Sequence, residues 1–284
     1  MSETQPTPEA NAYVFGTDDV ETERLGLQHR LWSDAAVALW RRGGLAPGMT
    51  VLDLGCGPGH ASFDMAQVVG CGGRVIGLDI SDRFVAQFNA RAAAIGVQNC
   101  RAYAGESKTL AATLEPELAA GRRIDAVYCR WMLSFVPDPE AVIAQLSSIL
   151  EPGAVVMVQD YFNYESMTLA PRRPEMTRLV EAIAKGIRMR GGDPDLMGRL
   201  PRLLASHGFR IDHLDQLQRI ARPGTSMWTW PGTFWRSVVP RLVATGLLEE
   251  AEAEAFSAVW MEVSADRNTF IHLPTVYETL ATKA

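Results

Sequence analysis

A glycine-rich turn between a short apolar run and a helix is the stretch of this chain best suited to hold a ligand. Residues 51–53 predict a buried parallel strand, and Gly55, Gly57 and Gly59 follow it. Glycines at this density form a turn tight enough for the backbone to approach a ligand closely. The helix predicted over 61–69 then places free amides at the carboxyl end of the strand, where open α/β sheets bind nucleotides.

The residues around this turn argue against a dinucleotide. The fingerprint G-x-G-x-x-G needs a glycine three residues after its second glycine, and here His60 stands at that distance from Gly57. Asp53 also stands where a pyrophosphate would meet a carboxylate. A ligand that carries positive charge and no phosphate tolerates Asp53 better. An ordinary glycine-rich turn of some other doubly wound protein is the structural alternative.

The segment from Asp53 to Gly59 resembles the first motif of the class I S-adenosylmethionine-dependent methyltransferases, which is written (D/E)-x-G-x-G-x-G. S-adenosylmethionine carries an ammonium and a sulfonium and no phosphate, so it suits the acidic residue. The resemblance implies that this cofactor is bound by the following motif residues: Asp53, Gly55, Cys56, Gly57, Pro58 and Gly59.

A second acidic residue, Asp79, ends the next predicted strand, residues 73–79. It follows the glycine turn by about 20 residues, the distance at which a βαβ unit brings a carboxylate to a ribose. A lone aspartate here could instead cap a helix, but Ser81 is available as the cap of the helix predicted over 82–95. We therefore expect Asp79 to bind the ribose hydroxyls, with Ile80 beside it in the cofactor site.

The other contacts with the cofactor are implied by the resemblance alone. They follow the strands predicted over 100–104 and 124–129, and they comprise Gly105, Glu106, Ser107, Cys129, Arg130 and Trp131. Family members usually carry aspartate where Glu106 stands. The contact of Glu106 with the adenine amino group is therefore expected to be less direct.

The segment from Arg130 to Pro139 bears on the methyl acceptor. Enzymes that methylate the nitrogens of nucleobases or glutamine amides typically carry (D/N)-P-P-(Y/F) after this strand, and that motif is missing here. The segment is instead similar to that of enzymes that methylate quinones, sterols and other natural products. The resemblance thus implies in-line methyl transfer to a small, apolar or aromatic molecule.

Two tyrosines are the best-placed candidates to act on the acceptor. The fifth strand, predicted over 154–159, is followed by a polar and aromatic cluster that contains Tyr161 and Tyr164. The carboxyl edge of a doubly wound sheet faces the substrate. We expect these tyrosines to orient or deprotonate the acceptor. The five histidines do not pair at ligand spacing, so no metal site is predicted.

The regions that flank this core predict a helical cover. Residues 1–11 are typical of a disordered tail, and residues 12–44 predict an N-terminal cap helix with an apolar face. Tyr13 and Gln28 are the polar residues expected to reach the cofactor from this cap, although both could equally decorate an exposed face. Residues 45–162 are expected to form the cofactor-binding core, and residues 163–284 to complete the sheet with helical lid insertions.

The lid insertions are rich in tryptophan and methionine. Helices are predicted over residues 174–190, 193–206, 234–245 and 249–266, and the last two strands over 209–220 and 276–282. The tryptophans between Trp228 and Trp235 either line an apolar pocket or anchor a helix on the core. The methionines that precede them are expected, for the most part, to fill gaps in the core: Met167, Met176, Met189 and Met197.

These elements predict an α/β fold with a doubly wound, mostly parallel sheet of seven strands. The net charge of −6, from 27 Lys and Arg against 33 Asp and Glu, offers no basic face for nucleic acid. No signal pattern and no apolar run of the ~20 residues of a membrane helix are present. Four cysteines are expected to be buried and reduced: Cys56, Cys71, Cys100 and Cys129. Together these features indicate a cytoplasmic monomer or homodimer that acts on a small molecule.

Two other functions remain open on the sequence. Cofactor motifs do not establish turnover, so the chain could be a non-catalytic or regulatory protein that binds S-adenosylmethionine. An oxidoreductase that uses an adenine dinucleotide is disfavoured by His60 and Asp53.

Overall fold

A sheet of seven strands forms the centre of the molecule. The computed structural model describes residues 16–284, so Tyr13 and the tail predicted at residues 1–11 lie outside the described part. The strands are β1 (Thr50–Leu54), β2 (Arg74–Asp79), β3 (Cys100–Ala104), β4 (Ala126–Arg130), β5 (Val155–Tyr161), β6 (Thr168–Ala170), β7 (Phe209–Leu217), β8 (Ile220–Ala221), β9 (Phe270–His272) and β10 (Val276–Lys283).

The main sheet has the strand order β3-β2-β1-β4-β5-β10-β7. Strands β1 to β5 are parallel, and β10 runs antiparallel to both of its neighbours, β5 and β7. The predicted doubly wound, mostly parallel sheet is therefore confirmed. The strand order reverses between β1 and β4, and ligands of open α/β sheets bind in the crevice outside the carboxyl ends at such a switch point.

Helices cover both faces of this sheet and its carboxyl edge. They are α1 (Asp19–Arg42), α2 (His60–Val69), α3 (Asp82–Ala94), α4 (Leu110–Thr113), α5 (Glu115–Ala119), α6 (Pro139–Ile149), α7 (Pro174–Met189), α8 (Leu200–Ser206), α9 (Ser226–Ala244) and α10 (Glu250–Ala265). One face of the sheet packs against α1, α2 and α3, and the other against α4, α6 and α8. A third core joins α7, α9 and α10, which we call the helical layer, to Trp32 of α1.

The first half of α1 buries polar residues, which its apolar pattern did not predict. An apolar inward face is predicted, but the buried positions include Glu21, Arg24 and His29 together with Trp32. The helix begins at Asp19 because the Asp18 side chain accepts a hydrogen bond of 2.8 Å from the Glu21 amide. Its polar inward face lies over the carboxyl edge of the sheet, where charged groups can meet a ligand.

The tryptophan segment is the first half of a single helix, and the prediction that a helix starts only at residue 234 is wrong. The Thr225 hydroxyl accepts a hydrogen bond from the Trp228 amide and starts α9, which continues through Pro231 and Pro240. The sequence Trp-Pro-Gly suggested a turn, because proline removes a helical hydrogen bond and glycine is a poor helix former. Packing of the tryptophans into the helical layer overrides both preferences.

Two other predictions of local structure need correction, and one small sheet was not predicted. The sixth strand, predicted over 209–220, is divided into β7 and the separate short strand β8. Strands β6, β9 and β8 form a small antiparallel sheet that the sequence patterns did not reveal, because such short strands are too short to show a period. The single helix predicted over 193–206 is divided into a short 3₁₀ turn, Leu196–Gly198, and the helix α8.

One prediction of burial is wrong. Cys71 is exposed in the turn that follows α2, whereas the other three cysteines are buried free thiols. Three of the four methionines, Met167, Met176 and Met197, are buried, and Met189 at the end of α7 is 68% exposed, so most of them fill the core as expected. Within residues 16–284, no helix is long and apolar enough to cross a membrane.

Candidate functional site

The glycine turn combines structural glycines with one that faces open space. Gly55, Gly57 and Gly59 all have positive φ, of 76°, 52° and 90°. A Cβ added to Gly55 would collide with Met132, and one added to Gly59 would collide with Phe88. At Gly57 the nearest atom would be Leu25 Cδ1, at 3.9 Å. Gly57 is therefore the member of the turn beside which a ligand has room, as a cofactor held against the backbone requires.

Asp79 lies beside this opening. Its carboxylate accepts hydrogen bonds from the Gly57 amide, at 2.8 Å, and from the Ser81 amide, at 2.9 Å. Burial raises the pKa of Asp79, although these backbone donors favour its charged form. The Ser81 hydroxyl accepts from the Phe84 amide and caps α3, as predicted. The Asp79 oxygens thus hold the glycine turn and keep lone pairs for further donors.

Asp53 is buried at the end of β1 and does not reach the surface. It accepts a hydrogen bond from the Ser62 hydroxyl of α2. Burial raises the pKa of Asp53 to about 6, against the opposing effects of Ser62 and of the positive charge on Arg130. Asp53 therefore ties the strand to the helix on either side of the turn and couples electrostatically to Arg130.

Arg130, at the end of β4, carries a positive charge into the switch-point crevice. One of its terminal nitrogens donates to His29 Nδ1 at 2.9 Å, and His29 Nε2 lies 2.9 Å from an Asp64 oxygen. The guanidinium also lies 5.0 Å from the ring centroid of Trp131. Its other terminal nitrogen, Nη1, is buried and has no hydrogen-bond partner among residues 16–284. A buried guanidinium nitrogen without a partner is costly, so an anionic ligand group would suit it.

The residues implied to contact the adenine differ in their exposure and in their partners. Gly105 lies beside β2, since its amide donates to the Asp79 carbonyl at 2.9 Å. Glu106 forms an ion pair of 2.6 Å with Lys108, Ser107 begins the short turn after it, and Ile80 is 43% exposed. An exposed apolar side chain beside Asp79 could pack on an adenine ring. The four positions thus meet at the carboxyl ends of β2 and β3.

Three of the implied contacts involve side chains that are turned into the protein. Cys56, Pro58 and Cys129 are all buried. Burial raises the pKa of both thiols well above its ordinary value. The Cys56 sulfur packs against β2 at Gly77. Any contact of these residues with a ligand would therefore be made by the backbone.

An aromatic pocket, which we call the acceptor pocket, opens beyond β4 and β5. It encloses about 630 Å³ of empty space, part of which is open solvent. Its wall consists of Arg24, Gln28, Trp131, Phe135, Tyr161, Tyr164, Met167, Ile183, Ile187, Trp230, Pro231, Phe234, Trp235, Leu273 and Pro274. Residues from α1, from both loops at the carboxyl edge and from the helical layer thus converge on one cavity.

Trp131 joins the cofactor side to this pocket. Its backbone has a φ of 52°, unusual for a bulky residue, and its amide donates to the Gln159 carbonyl at 2.9 Å. The Trp131 ring is stacked with Trp230 at 5.8 Å and with Tyr161 at 6.1 Å between centroids. The strand end therefore turns Trp131 towards the pocket while the preceding Arg130 faces the crevice.

The polar part of the pocket wall lies on α1, where the side chains are joined to one another by hydrogen bonds. Arg24 donates to both carboxylate oxygens of Glu21 at 2.7 Å, and to the Gln28 side-chain oxygen at 2.9 Å. The same Gln28 oxygen accepts from the Trp230 indole at 3.0 Å. Gln28 thus lines the acceptor pocket and links α1 to α9. Its expected contact with the cofactor stays a prediction.

The two candidate tyrosines both line the pocket, and their rings meet edge to face at 5.1 Å. Burial raises the pKa of Tyr164 above its ordinary value, so its hydroxyl keeps its proton at neutral pH. Among the described residues, this hydroxyl has no hydrogen-bond partner. The buried carboxylate of Asp160 accepts from the Ser134 hydroxyl at 2.6 Å and fixes the loop after β4 beside the tyrosines.

Sequence reasoning missed several residues that the structure brings to the site. Arg24 and His29 were overlooked because Gln28 was the one polar residue of α1 that was considered, although Glu21, Arg24 and Gln28 share one helical face at three- and four-residue spacing. Ile183 and Ile187 of α7 lie one turn apart and could have been found in the same way. No sequence signal points to Leu273 and Pro274. Within the described part, no group of His, Cys, Asp and Glu could hold a metal ion.

Comparison with known proteins gives a consistent result. The family model described as "Methyltransferase domain" matches residues 45–203. A 2-phytyl-1,4-naphtoquinone methyltransferase of Synechocystis sp. is 30% identical over 172 residues, which cover 56% of this chain and 65% of that relative. The chain thus spans less than two thirds of the length of this curated relative.

Solved structures share the fold at low sequence identity. The geranyl diphosphate C-methyltransferase of Streptomyces coelicolor, solved with Mg²⁺, geranyl diphosphate and S-adenosyl-L-homocysteine, aligns with a TM-score of 0.54 at 17% identity, covering 93% of this chain and 84% of that chain. The [4+2]-cyclase SpnF aligns with a TM-score of 0.55 at 17% identity, covering 88% of this chain and 80% of that chain. At this identity the likeness shows the fold alone.

Proposed function

Because the chain belongs to the methyltransferase-domain family, we propose that it transfers a methyl group from S-adenosylmethionine to a small, apolar or aromatic acceptor. The observation that carries the proposal is the open space beside Gly57, bordered by the buried carboxylate of Asp79 at the switch point of the sheet. The aromatic pocket adjoining this crevice supports the acceptor class.

The residues of the crevice suit the separate parts of the cofactor. Asp79 can accept from ribose hydroxyls, and Ile80 and Glu106 border the space for the adenine. Arg130 has an uncompensated nitrogen for the carboxylate of the methionine end, and the negative charge of Asp53 favours its ammonium. Tyr13 and Gln28 stay predicted contacts from the cap.

The protein's own task is positioning. When bound, S-adenosylmethionine would supply an electrophilic sulfonium methyl, and the pocket residues would hold the acceptor atom in line with it, with the proton of an O–H or N–H acceptor released to solvent. Tyr161 and Tyr164 line the pocket where the acceptor would lie. The raised pKa of Tyr164 favours a role in orienting the acceptor over a role as a base. The helical layer would exclude water from the reacting atoms.

The partner and the location are part of the same proposal. Three buried free thiols and the net charge of −6 support a reducing cytoplasm and a small molecule in place of nucleic acid. Whether the chain is a monomer or a homodimer is tested by size-exclusion chromatography with light scattering.

A matched pair of glycine variants tests the cofactor site. Gly57 and Gly96 both have positive φ, and a Cβ added to Gly96 would meet nothing within 4 Å. Alanine should cost each site a similar strain of about 1–2 kcal/mol, because L-residues disfavour this region. Calorimetric titration with S-adenosylhomocysteine should show binding to the wild type and to Gly96→Ala, and at least ~10-fold weaker binding to Gly57→Ala.

Turnover is tested separately by following release of S-adenosylhomocysteine from S-adenosylmethionine with a panel of phenols, hydroquinones and terpenoid alcohols. A wild type that does not bind S-adenosylhomocysteine contradicts the proposal. A protein that binds it and turns over no member of the panel would support the non-catalytic alternative.

A further inference from the structure

We infer that the acceptor is an uncharged, ring-bearing molecule with an oxygen substituent, and that the acceptor pocket discriminates against phosphorylated and ammonium-bearing acceptors. This inference rests on the proposed function and specifies its substrate. The evidence for it is the set of charged and aromatic side chains in the pocket wall. A phosphorylated acceptor needs a free positive charge and an ammonium-bearing acceptor needs a carboxylate or an open aromatic ring.

The pocket wall offers aromatic surface and almost no charge. Seven of the fifteen lining residues are aromatic, and none of the fifteen is Asp, Glu, Lys or His. Rings of this kind stack on planar ligands and gain from their burial. A ligand that carries a full charge would lose its hydration on entering and would need a partner charge in return. The single candidate partner in the wall is Arg24.

Arg24 is already neutralised by its own helix. Both of its bonds to Glu21 are 2.7 Å long, and the two side chains are almost wholly buried, at 6% and 3% exposure. The remaining guanidinium nitrogen, Nη1, donates a hydrogen bond to the Gln28 side-chain oxygen. A phosphate or diphosphate would have to replace a buried carboxylate that has bidentate geometry, which is costly. The wall contains no carboxylate through which a metal ion could be held beside a phosphate.

An ammonium is disfavoured because arginines already occupy the aromatic rings. Arg130 lies 5.0 Å from the ring centroid of Trp131, and Arg24 lies 5.7 Å from that of Phe234. Both rings line the pocket. Rings attract cations through their electron-rich faces, so a second cation at the same rings would gain less and would meet like charge. Without a carboxylate in the wall, nothing offsets this repulsion.

Two uncommitted polar groups suit a neutral oxygen. The Tyr164 hydroxyl and the Gln28 amide nitrogen both belong to the wall, and neither has a hydrogen-bond partner among the described residues. The Gln28 oxygen is identified by its two donors, Arg24 and Trp230, so its nitrogen is turned the other way. A hydroxyl and an amide N–H can together satisfy a phenol or a ketone oxygen.

Three probes with one ring system test this inference. The protein is first titrated with S-adenosylhomocysteine, and failure to bind would refute the proposed function. The complex is then titrated with 2-naphthol, 2-naphthyl phosphate and 2-naphthyl-trimethylammonium, followed by tryptophan fluorescence and calorimetry. We expect 2-naphthol to bind at least ~10-fold more tightly than either charged probe. Equal or tighter binding of a charged probe, or no binding of 2-naphthol up to about 1 mM, would overturn the inference.

Two variants locate the preference in the pocket. Glu21→Gln leaves the Arg24 charge uncompensated, so the ratio of naphthol to naphthyl phosphate affinity should fall by about tenfold. Trp230→Phe should weaken naphthol binding, whereas the matched Trp228→Phe, on the same helix but outside the pocket wall, should not. An unchanged ratio in Glu21→Gln, or equal effects of the two tryptophan variants, would contradict the assignment to this cavity.

Discussion

Charged side chains at the switch point are held by one another more than by solvent. Arg130 is bonded to His29 and coupled to Asp53, while His60 lies between the α1 backbone and Arg91. Asp53 and Asp79 could be predicted as site residues from the sequence, because each of them ends a predicted strand. Arg130 was implied only by resemblance, and its orphaned nitrogen could not be foreseen, since hydrogen-bond partners depend on the packing of α1.

Arg130 should recognise the methionine end of the cofactor. Arg130→Met should weaken S-adenosylhomocysteine by about tenfold to a hundredfold, since a hydrogen bond to a charged group contributes about 1.5–3 kcal/mol. 5′-Methylthioadenosine, which lacks the carboxylate, should bind the variant almost as it binds the wild type. Calorimetry with the two ligands measures the difference.

Arg91→Met is the matched control for this change, because Arg91 also bonds a histidine and lies over an aromatic ring, Phe63. It should leave the ratio of the two affinities unchanged. If Arg130→Met weakens both ligands equally, Arg130 has only a structural role.

His60 should make stability depend on pH. Burial lowers the pKa of His60 from 6.5 to about 4, so the unfolded state binds its proton first as the pH falls. The stability that neutral His60 contributes is therefore present above pH 6.5 and is lost between about 6.5 and 4. Relative to His60→Gln, the wild type should lose on the order of 1–3 kcal/mol across this window.

Urea unfolding of both proteins at several pH values gives this difference. Asp53 and Asp160, each with a pKa raised to about 6, act with the opposite sign, since their ionisation destabilises the fold as the pH rises. Both are present in the two proteins and cancel in the comparison. Parallel pH profiles would show that His60 is not desolvated.

At the scale of elements, the part of the fold that could be predicted is the part with regular periodicity. Strands β1 to β5 were predicted within two residues at each end, because apolar runs are bounded by glycine or acidic turns. Helix α9 was missed in its first half because Pro231 and neighbouring glycine mask a helix that tertiary packing maintains. The three-stranded second sheet has no local signal, and its register is set by contacts between distant segments.

Within α9, neighbouring tryptophans have different roles. Trp230 lines the pocket, whereas the Trp228 ring is stacked on Trp260 at 4.5 Å and its indole donates to Ser264. Trp228→Ala should therefore lower the free energy of unfolding by about 3–5 kcal/mol without changing the affinity for S-adenosylhomocysteine. Urea denaturation and calorimetry measure the two quantities.

Met261→Ala is the control for this variant, because Met261 is 70% exposed and lies on α10 next to Trp260, the residue on which Trp228 stacks. It should change stability by less than about 0.5 kcal/mol. Were Trp228→Ala as stable as the control, the stacked pair would not anchor α9 to α10.

For the molecule as a whole, the two candidate sites draw on the chain very differently. The glycine turn, Asp79 and Arg130 all belong to residues 53–130, where motifs are compact and could be predicted from the sequence. The acceptor pocket takes its wall from residues between Arg24 and Pro274, nearly the whole described chain. Its composition could not be predicted, since it depends on how the helical layer folds back over the sheet.

Because the pocket wall is formed by distant segments of the chain, thermal unfolding can be used to identify the natural acceptor. A molecule that fills the cavity holds together segments that separate on unfolding, and at ~100 times its Kd it stabilises the native state by about 2.7 kcal/mol. For a chain of this size, the melting temperature rises by about 2–4 °C per kcal/mol. Thermal melting of the complex with S-adenosylhomocysteine can therefore rank a library of metabolites, with no knowledge of which atom receives the methyl group.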